Sequence, residues 1–181
     1  MTLTLSQEYA HRRETVSDIH EHLPVLFDAV LTHPAENLVV VECGVRTGNS
    51  TAAFLYALQV RQSGHLWSID PQVPEIPDQW YANPQWRYLH GSDTDPRTLA
   101  AVPPAIDILF IDTSHTYEQT LEELAVYEAR MNPGGIMFFH DTEVVSDVCD
   151  VSRALNVWSQ ASGIEWTNRT NCYGLGEIRI P

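Results

Sequence analysis

Short apolar runs recur along the chain, separated by stretches in which apolar residues return every three to four positions. Residues 38–43, 65–69, 86–90, 106–111 and 135–140 are rich in branched or aromatic side chains, the pattern of strands buried on both faces. Between them, 50–61 and 117–131 read as helices. In the second, Tyr117, Leu121, Leu124, Ala125 and Glu128 fall on one face, and Asn132-Pro133-Gly134-Gly135 ends it. Val144, Val148, Val151, Leu155 and Trp158 keep helical spacing through a later helix that Asp141-Thr142-Glu143 caps and Gly163 closes. Upstream of the first strand, Ile19, Leu23, Leu26, Phe27, Val30 and Leu31 share that spacing. Pro24 sits among them and must start or kink a helix, so two short helices are expected there.

The tail differs. Residues 164–170 and 173–180 read as two strands joined by Asn171-Cys172, an antiparallel hairpin. Alternation of strand and helix predicts an α/β fold: a doubly wound, Rossmann-like, mostly parallel sheet with helices on both faces and a C-terminal antiparallel hairpin. One domain is expected over 1–181, with a helical segment at 1–37 and the core at 38–181. The proline-rich segment 71–77 reads as a rigid surface loop.

Composition narrows the function. The 181 residues are 44% apolar, enough for one domain with a core. Against 24 acidic residues stand 10 basic ones, a formal charge of -14, and no run of Lys or Arg could neutralise a phosphate backbone. Nucleic acid and anionic membrane are therefore not expected as partners. The first 13 residues lack the apolar core of a signal peptide, and a cytoplasmic protein is expected. Cys43, Cys149 and Cys172 have neither metal-ligand nor redox spacing and read as reduced, mostly buried thiols.

The first strand runs into a glycine turn, Glu42-Cys43-Gly44-Val45-Arg46-Thr47-Gly48-Asn49-Ser50, and then a helix. Open parallel sheets bind ligands beyond the carboxyl ends of their strands, where glycines let a ligand approach the backbone. Arg46 stands where a dinucleotide fingerprint needs its second glycine, which argues against a nicotinamide oxidoreductase.

In spacing this segment resembles motif I of the class I S-adenosylmethionine-dependent methyltransferases, with Glu42, Gly44, Gly48 and Ser50 in register. The resemblance implies that Glu42 engages the cofactor's amino group and that the turn lies against its methionine part. Asp70, at the end of the second strand, then stands where the family's second acid holds the ribose hydroxyls, and a carboxylate can accept from both. Ser92 and Asp93 stand where relatives contact adenine.

Further on, Phe110-Ile111-Asp112-Thr113-Ser114-His115-Thr116-Tyr117-Glu118 resembles a signature of the macrocin O-methyltransferase and cephalosporin hydroxylase group, and 132–141 repeats that group's N-P-G-G turn, strand and terminal acid. The resemblance covers roughly residues 38–141. It implies O-methylation of a small-molecule hydroxyl, with His115 as general base and Asp112 counted among both cofactor and metal residues. Methyl transfer to a hydroxyl requires its proton removed and its oxygen aligned with the sulfonium, and a divalent cation can share both tasks. Asp112 and Asp141 end adjacent strands and are the expected carboxylate ligands of Mg2+ or Mn2+. His140 is a further candidate, though imidazole suits a softer ion better than Mg2+.

Other readings stay open at this level. One is a binding or assembly protein that keeps the cofactor fold without catalysis; another is a hydroxylase, for which His115, His140 and Asp112 are the only candidate iron set. Little chain remains for a lid, so either the acceptor is small or a second subunit of a homo-oligomer completes the pocket. Trp80, Tyr81 and Trp86 read as core or as an apolar wall of that pocket.

Overall fold

The computed structural model describes residues 3–181. Seven strands form one sheet in the order β3-β2-β1-β4-β5-β7-β6. They are β1 (Val39–Cys43), β2 (His65–Asp70), β3 (Trp86–His90), β4 (Ile106–Ile111), β5 (Met131–His140), β6 (Trp166–Arg169) and β7 (Leu175–Arg179). The first five run parallel; β7 lies antiparallel between β5 and β6, so the terminal hairpin reverses direction at the sheet's end.

Alternate residues of the central strands feed two cores, as the two-residue period of a doubly covered sheet requires. Val40, Ile108, Phe110, Ile136 and Phe138 pack with Leu23, Leu26 and Val30 of α2 (Leu23–Thr32) and Phe54, Leu55 and Leu58 of α3 (Asn49–Arg61). Val41, Cys43, Leu109, Ile111, Met137 and Phe139 pack with Leu124 and Tyr127 of α5 (Tyr117–Tyr127) and Val151, Leu155 and Trp158 of α6 (Val151–Ser162). Each such fully buried side chain contributes roughly 1.5–3 kcal/mol. No helix of the described residues is long and apolar enough to cross a membrane.

Two helices precede β1, with Pro24 in the first turn of α2. The other, α1 (Leu5–Glu14), lies further upstream than its apolar spacing suggests, held by a reciprocal Thr4–Gln7 capping box, and Ile19 falls in the connection. A short helix, α4 (Pro96–Leu99), went unread in the sequence. The helix expected over 117–131 ends at Tyr127, tightens into a 3-10 turn at Glu128–Arg130, and strand begins at Met131. Its buried face is Thr120, Glu123, Leu124 and Tyr127, while Ala125 is exposed. The helix expected from Val144 starts only at Val151, and Val148 is 73% exposed. Instead 141–150 is a loop: the backbone N–H of Glu143 donates to the Tyr173 carbonyl, the Thr142 hydroxyl to Asn168, and Ser146 bridges Cys149. Those tertiary bonds win over the local spacing.

Candidate active site

The strand order reverses between β1 and β4, and a cleft opens beyond their carboxyl ends. Its volume is about 810 Å3, within the range of small-molecule sites, and its lining includes Gly44, Asp70, Ser92, Asp93, Asp112 and Gln119. Gly44 has φ 92°, and a β-carbon there would collide with the backbone carbonyl of Asp112. The β1 and β4 ends are thus drawn together, with Asp112 N–H donating to the Cys43 carbonyl at 2.8 Å. Gly48, at φ 77°, opens α3, and a β-carbon would meet Ile76 and the Trp80 ring.

Asp70 fastens the turn from β2. Its Oδ2 accepts from the backbone N–H of Val45 at 2.9 Å and of Arg46 at 3.1 Å, and its Oδ1 from Gln72 at 2.7 Å. Such charge-assisted bonds hold a loop far better than neutral ones. Glu42 is fully buried behind the turn: Ser50 donates to it at 2.6 Å, Thr51 at 2.9 Å and Ser68 at 2.5 Å. Burial pushes its carboxyl up to about 7, against the pull of those three hydroxyls. Neither Glu42 nor Ser50 lines the cleft, and Gly48 touches it only through its neighbour Thr47. Trp80 and Trp86 are core residues, 2% and 8% exposed, and stand apart from the cleft.

At the ends of β4 and β5 the structure brings Asp112, His115, His140 and Asp141 together. The His115 Nδ1 lies 3.2 Å from Asp141 Oδ2 and its Nε2 3.6 Å from Asp112 Oδ1. Both His115 and Asp141 are left-handed, at φ 59° and 60°, and the His115 carbonyl is fixed by the Asp150 N–H.

His140 is 2% exposed, and both its nitrogens face acceptors. Nδ1 lies 3.3 Å from Asp112 Oδ1 and from Asp141 Oδ1, while Nε2 faces the carbonyls of Asp18 and Cys172. Two donors are required, so the ring is an imidazolium. Burial works against that charge, but the bonds to Asp112 and Asp141 prevail and raise it to about 11. Asp141 moves the other way: burial would raise it, and His140, His115 and Arg46 bring it down.

Ligand atoms of Asp112, His115 and Asp141 lie within 4.8 Å of one another. The two carboxylates are donors that would fit a divalent cation such as Mg2+ or Mn2+, with the His115 imidazole beside them. His140, counted above as a ligand, is outside that cluster, since both nitrogens already donate. The cleft likewise fits an adenosyl cofactor: Asp70 and Asp93 offer acceptors spaced along it, and an acidic lining suits sulfonium and ammonium groups.

Glu123 is the residue the sequence reading missed. It is fully buried under the cleft, accepts from the Thr113 hydroxyl and from Gln119, and shares that Gln119 amide with Asp93.

A family profile described as a methyltransferase domain matches residues 41–142, more than half of the chain. An uncharacterized protein of Acanthamoeba polyphaga mimivirus is 26% identical over 134 residues, and the match covers 67% of this chain and 59% of that relative, less than two thirds of its length. The TDP-rhamnose 3'-O-methyltransferase CalS11 of calicheamicin biosynthesis superposes with a TM-score of 0.65 at 18% identity, over 88% of this chain and 77% of its own. MycE of the mycinamycin pathway, solved with Mg and SAH (S-adenosylhomocysteine), gives 0.69 at 16% identity, over 99% of this chain and 55% of its own. At these identities the likeness is one of fold.

Proposed function

The chain belongs to the methyltransferase domain family, and from that premise we propose that it moves the methyl group of S-adenosylmethionine to a hydroxyl of a small molecule, with His115 taking the hydroxyl proton. The observation that carries the reading is the convergence of His115 with Asp112 and Asp141 beside the cleft.

The cofactor would be held along the cleft by the turn from Gly44 to Thr47, by Asp70 toward the ribose and by Ser92 and Asp93 toward the base, with Gly48 letting that turn close over Ile76 and Trp80. Glu42 acts from behind that turn, through the Ser50 and Thr51 hydroxyls it fixes. When bound, a divalent cation on Asp112 and Asp141 supplies Lewis-acid polarisation of the acceptor oxygen. His115 Nδ1–H donates to Asp141, which leaves Nε2 as the proton acceptor. His140 keeps its imidazolium between the two carboxylates and relieves their repulsion. The acceptor is a small hydroxyl compound such as a phenol or a sugar, since neither charge nor fold provides a track for a polymer.

The test is methyl transfer from labelled S-adenosylmethionine across a panel of phenols and sugars, with Mg2+, Mn2+ or a chelator present. For His115→Ala the expected result is a loss of ~10^2–10^4 in kcat while SAH binding stays within a few-fold. Loss of SAH binding in that variant, or transfer at the wild-type rate, overturns the role of His115.

A further inference from the structure

Below the end of the cleft that holds Asp93 lies a buried polar cluster for which the transfer chemistry has no use. Asp93, 6% exposed, comes from the loop after β3, and Glu123, fully buried, from α5. The two carboxyls lie on either side of one amide group. The Gln119 amide reaches both, at 3.4 Å to Asp93 Oδ1 and 3.2 Å to Glu123 Oε1, and the Thr113 hydroxyl closes on Glu123. Tyr127 donates to the backbone carbonyl of Asp93 at 2.8 Å. Yet Asp93 Oδ2 and Glu123 Oε2 are buried with no donor. Two adjacent acceptors without a donor are what a carboxyl pair looks like when one proton lies between them, and two ionised carboxylates could not be buried side by side.

We propose that Asp93 and Glu123 share a single proton, carried by Glu123, and that Glu123 is thereby a positioning residue that keeps Asp93 ionised and aimed at the amino group of the cofactor's purine. The proposal rests on the cofactor reading above and deepens it. Burial pushes both carboxyls above the usual range, and Glu123, fully buried where Asp93 keeps 6% of its surface exposed, is the one that loses more by ionising and so carries the proton. The titratable groups facing the pair are Cys43 at the end of β1, Glu122 and Tyr127 on α5, and, across a small void from Glu123, His115 and His140. Burial raises the Cys43 thiol and the Tyr127 phenol, so both stay neutral and leave the pair's charge to its own proton. A carboxylate acceptor at this end selects a 6-amino purine and rejects a 6-oxo purine, which presents an acceptor there.

The first arm of the test needs no ligand: carboxyl 13C NMR of Asp/Glu-labelled protein, with signals assigned through Glu123→Gln and Asp93→Asn. One protonated carboxyl at neutral pH, lost in Glu123→Gln, is expected; two ionised carboxylates overturn the shared proton. The second arm is calorimetry with SAH and with S-inosylhomocysteine from pH 6 upward. Wild-type affinity for SAH should fall on the alkaline side as the pair loses its proton. Glu123→Gln, which keeps an N–H toward Asp93, should hold neutral-pH affinity and flatten that limb, whereas Glu123→Ala weakens SAH by about 10-fold, the scale of one lost hydrogen bond. Identical pH profiles for wild type and Glu123→Gln, or equal affinity for the two nucleosides, overturn the positioning role. Failure of wild-type protein to bind SAH defeats the cofactor reading and the recognition half with it, while the NMR arm still decides the proton.

Discussion

Replacing Glu42 by glutamine should stabilise the protein at alkaline pH while weakening its cofactor. The side chain is fully buried, and its neighbours are three hydroxyls, with no cation among its bonded partners. Burial raises its pKa from 4.5 to about 7, with Asp112 adding a smaller push. A folded-state value above the unfolded one means that the stabilising contribution is complete below about 4.5 and lost as pH rises through about 7. At ~1.4 kcal/mol per pH unit, ionising Glu42 in place costs about 3 kcal/mol. Glutamine has the same shape, offers an acceptor to two hydroxyls and a donor to the third, and carries no charge. Urea unfolding of wild type and Glu42→Gln from pH 4 to 9 makes the comparison, since every other titrating group cancels. The difference should be near zero at the acid end and grow to about 3 kcal/mol in the variant's favour above pH 8, or roughly 6–12 °C in Tm for a chain of this size. SAH should bind the variant more weakly at pH 8, because the charge retained at that cost faces the ligand's α-ammonium group through Ser50 and Thr51. A difference that is flat with pH, or that turns against glutamine at high pH, refutes the reasoning and makes Glu42 a comfortably ionised structural acid.

Gly44→Ala combines a left-handed backbone with a collision against the Asp112 carbonyl, and should lower the urea-derived stability by about 2–4 kcal/mol. His140→Leu leaves Asp112 and Asp141 facing each other without their shared imidazolium; a loss of about 3 kcal/mol is expected in a chelator, partly restored by Mn2+ in a thermal-shift assay. Wild-type protein at Mn2+ one hundred times its dissociation constant should gain about 2.7 kcal/mol, and Asp112→Asn should abolish the gain. An unchanged Tm with Mg2+ and Mn2+ would remove the cation from the account.

Much of this site was legible because its chemistry sits on strand ends. Residues 106–111 are a strand from end to end and buried at every position, since a run covered on both faces carries its own signature, and Asp70, Asp112 and Asp141 fall at or just beyond strand ends. Helix faces were read less well. On α5 the apolar stripe through Leu121 and Ala125 points the wrong way, because the face under the cleft is built from Thr120, Glu123 and Tyr127. A buried carboxyl satisfied by a second carboxyl leaves no apolar trace in sequence, which is why Glu123 escaped. The loop 141–150 failed for a related reason: Val144 and Val148 keep helical spacing, while long-range bonds to Tyr173 and Asn168 dictate the backbone. Nor does sequence reveal that Glu42 lies behind the turn or that His140 has acceptors on both sides.

The central claim, that the cleft between β1 and β4 holds an adenosyl cofactor, is tested most directly by calorimetric titration of SAH into wild-type protein and Asp70→Ala. Micromolar one-to-one binding to wild type, weakened at least ~10-fold in a variant that stays folded, is the predicted result. No heat with wild type under any metal condition, or affinity unchanged by Asp70→Ala, would contradict it.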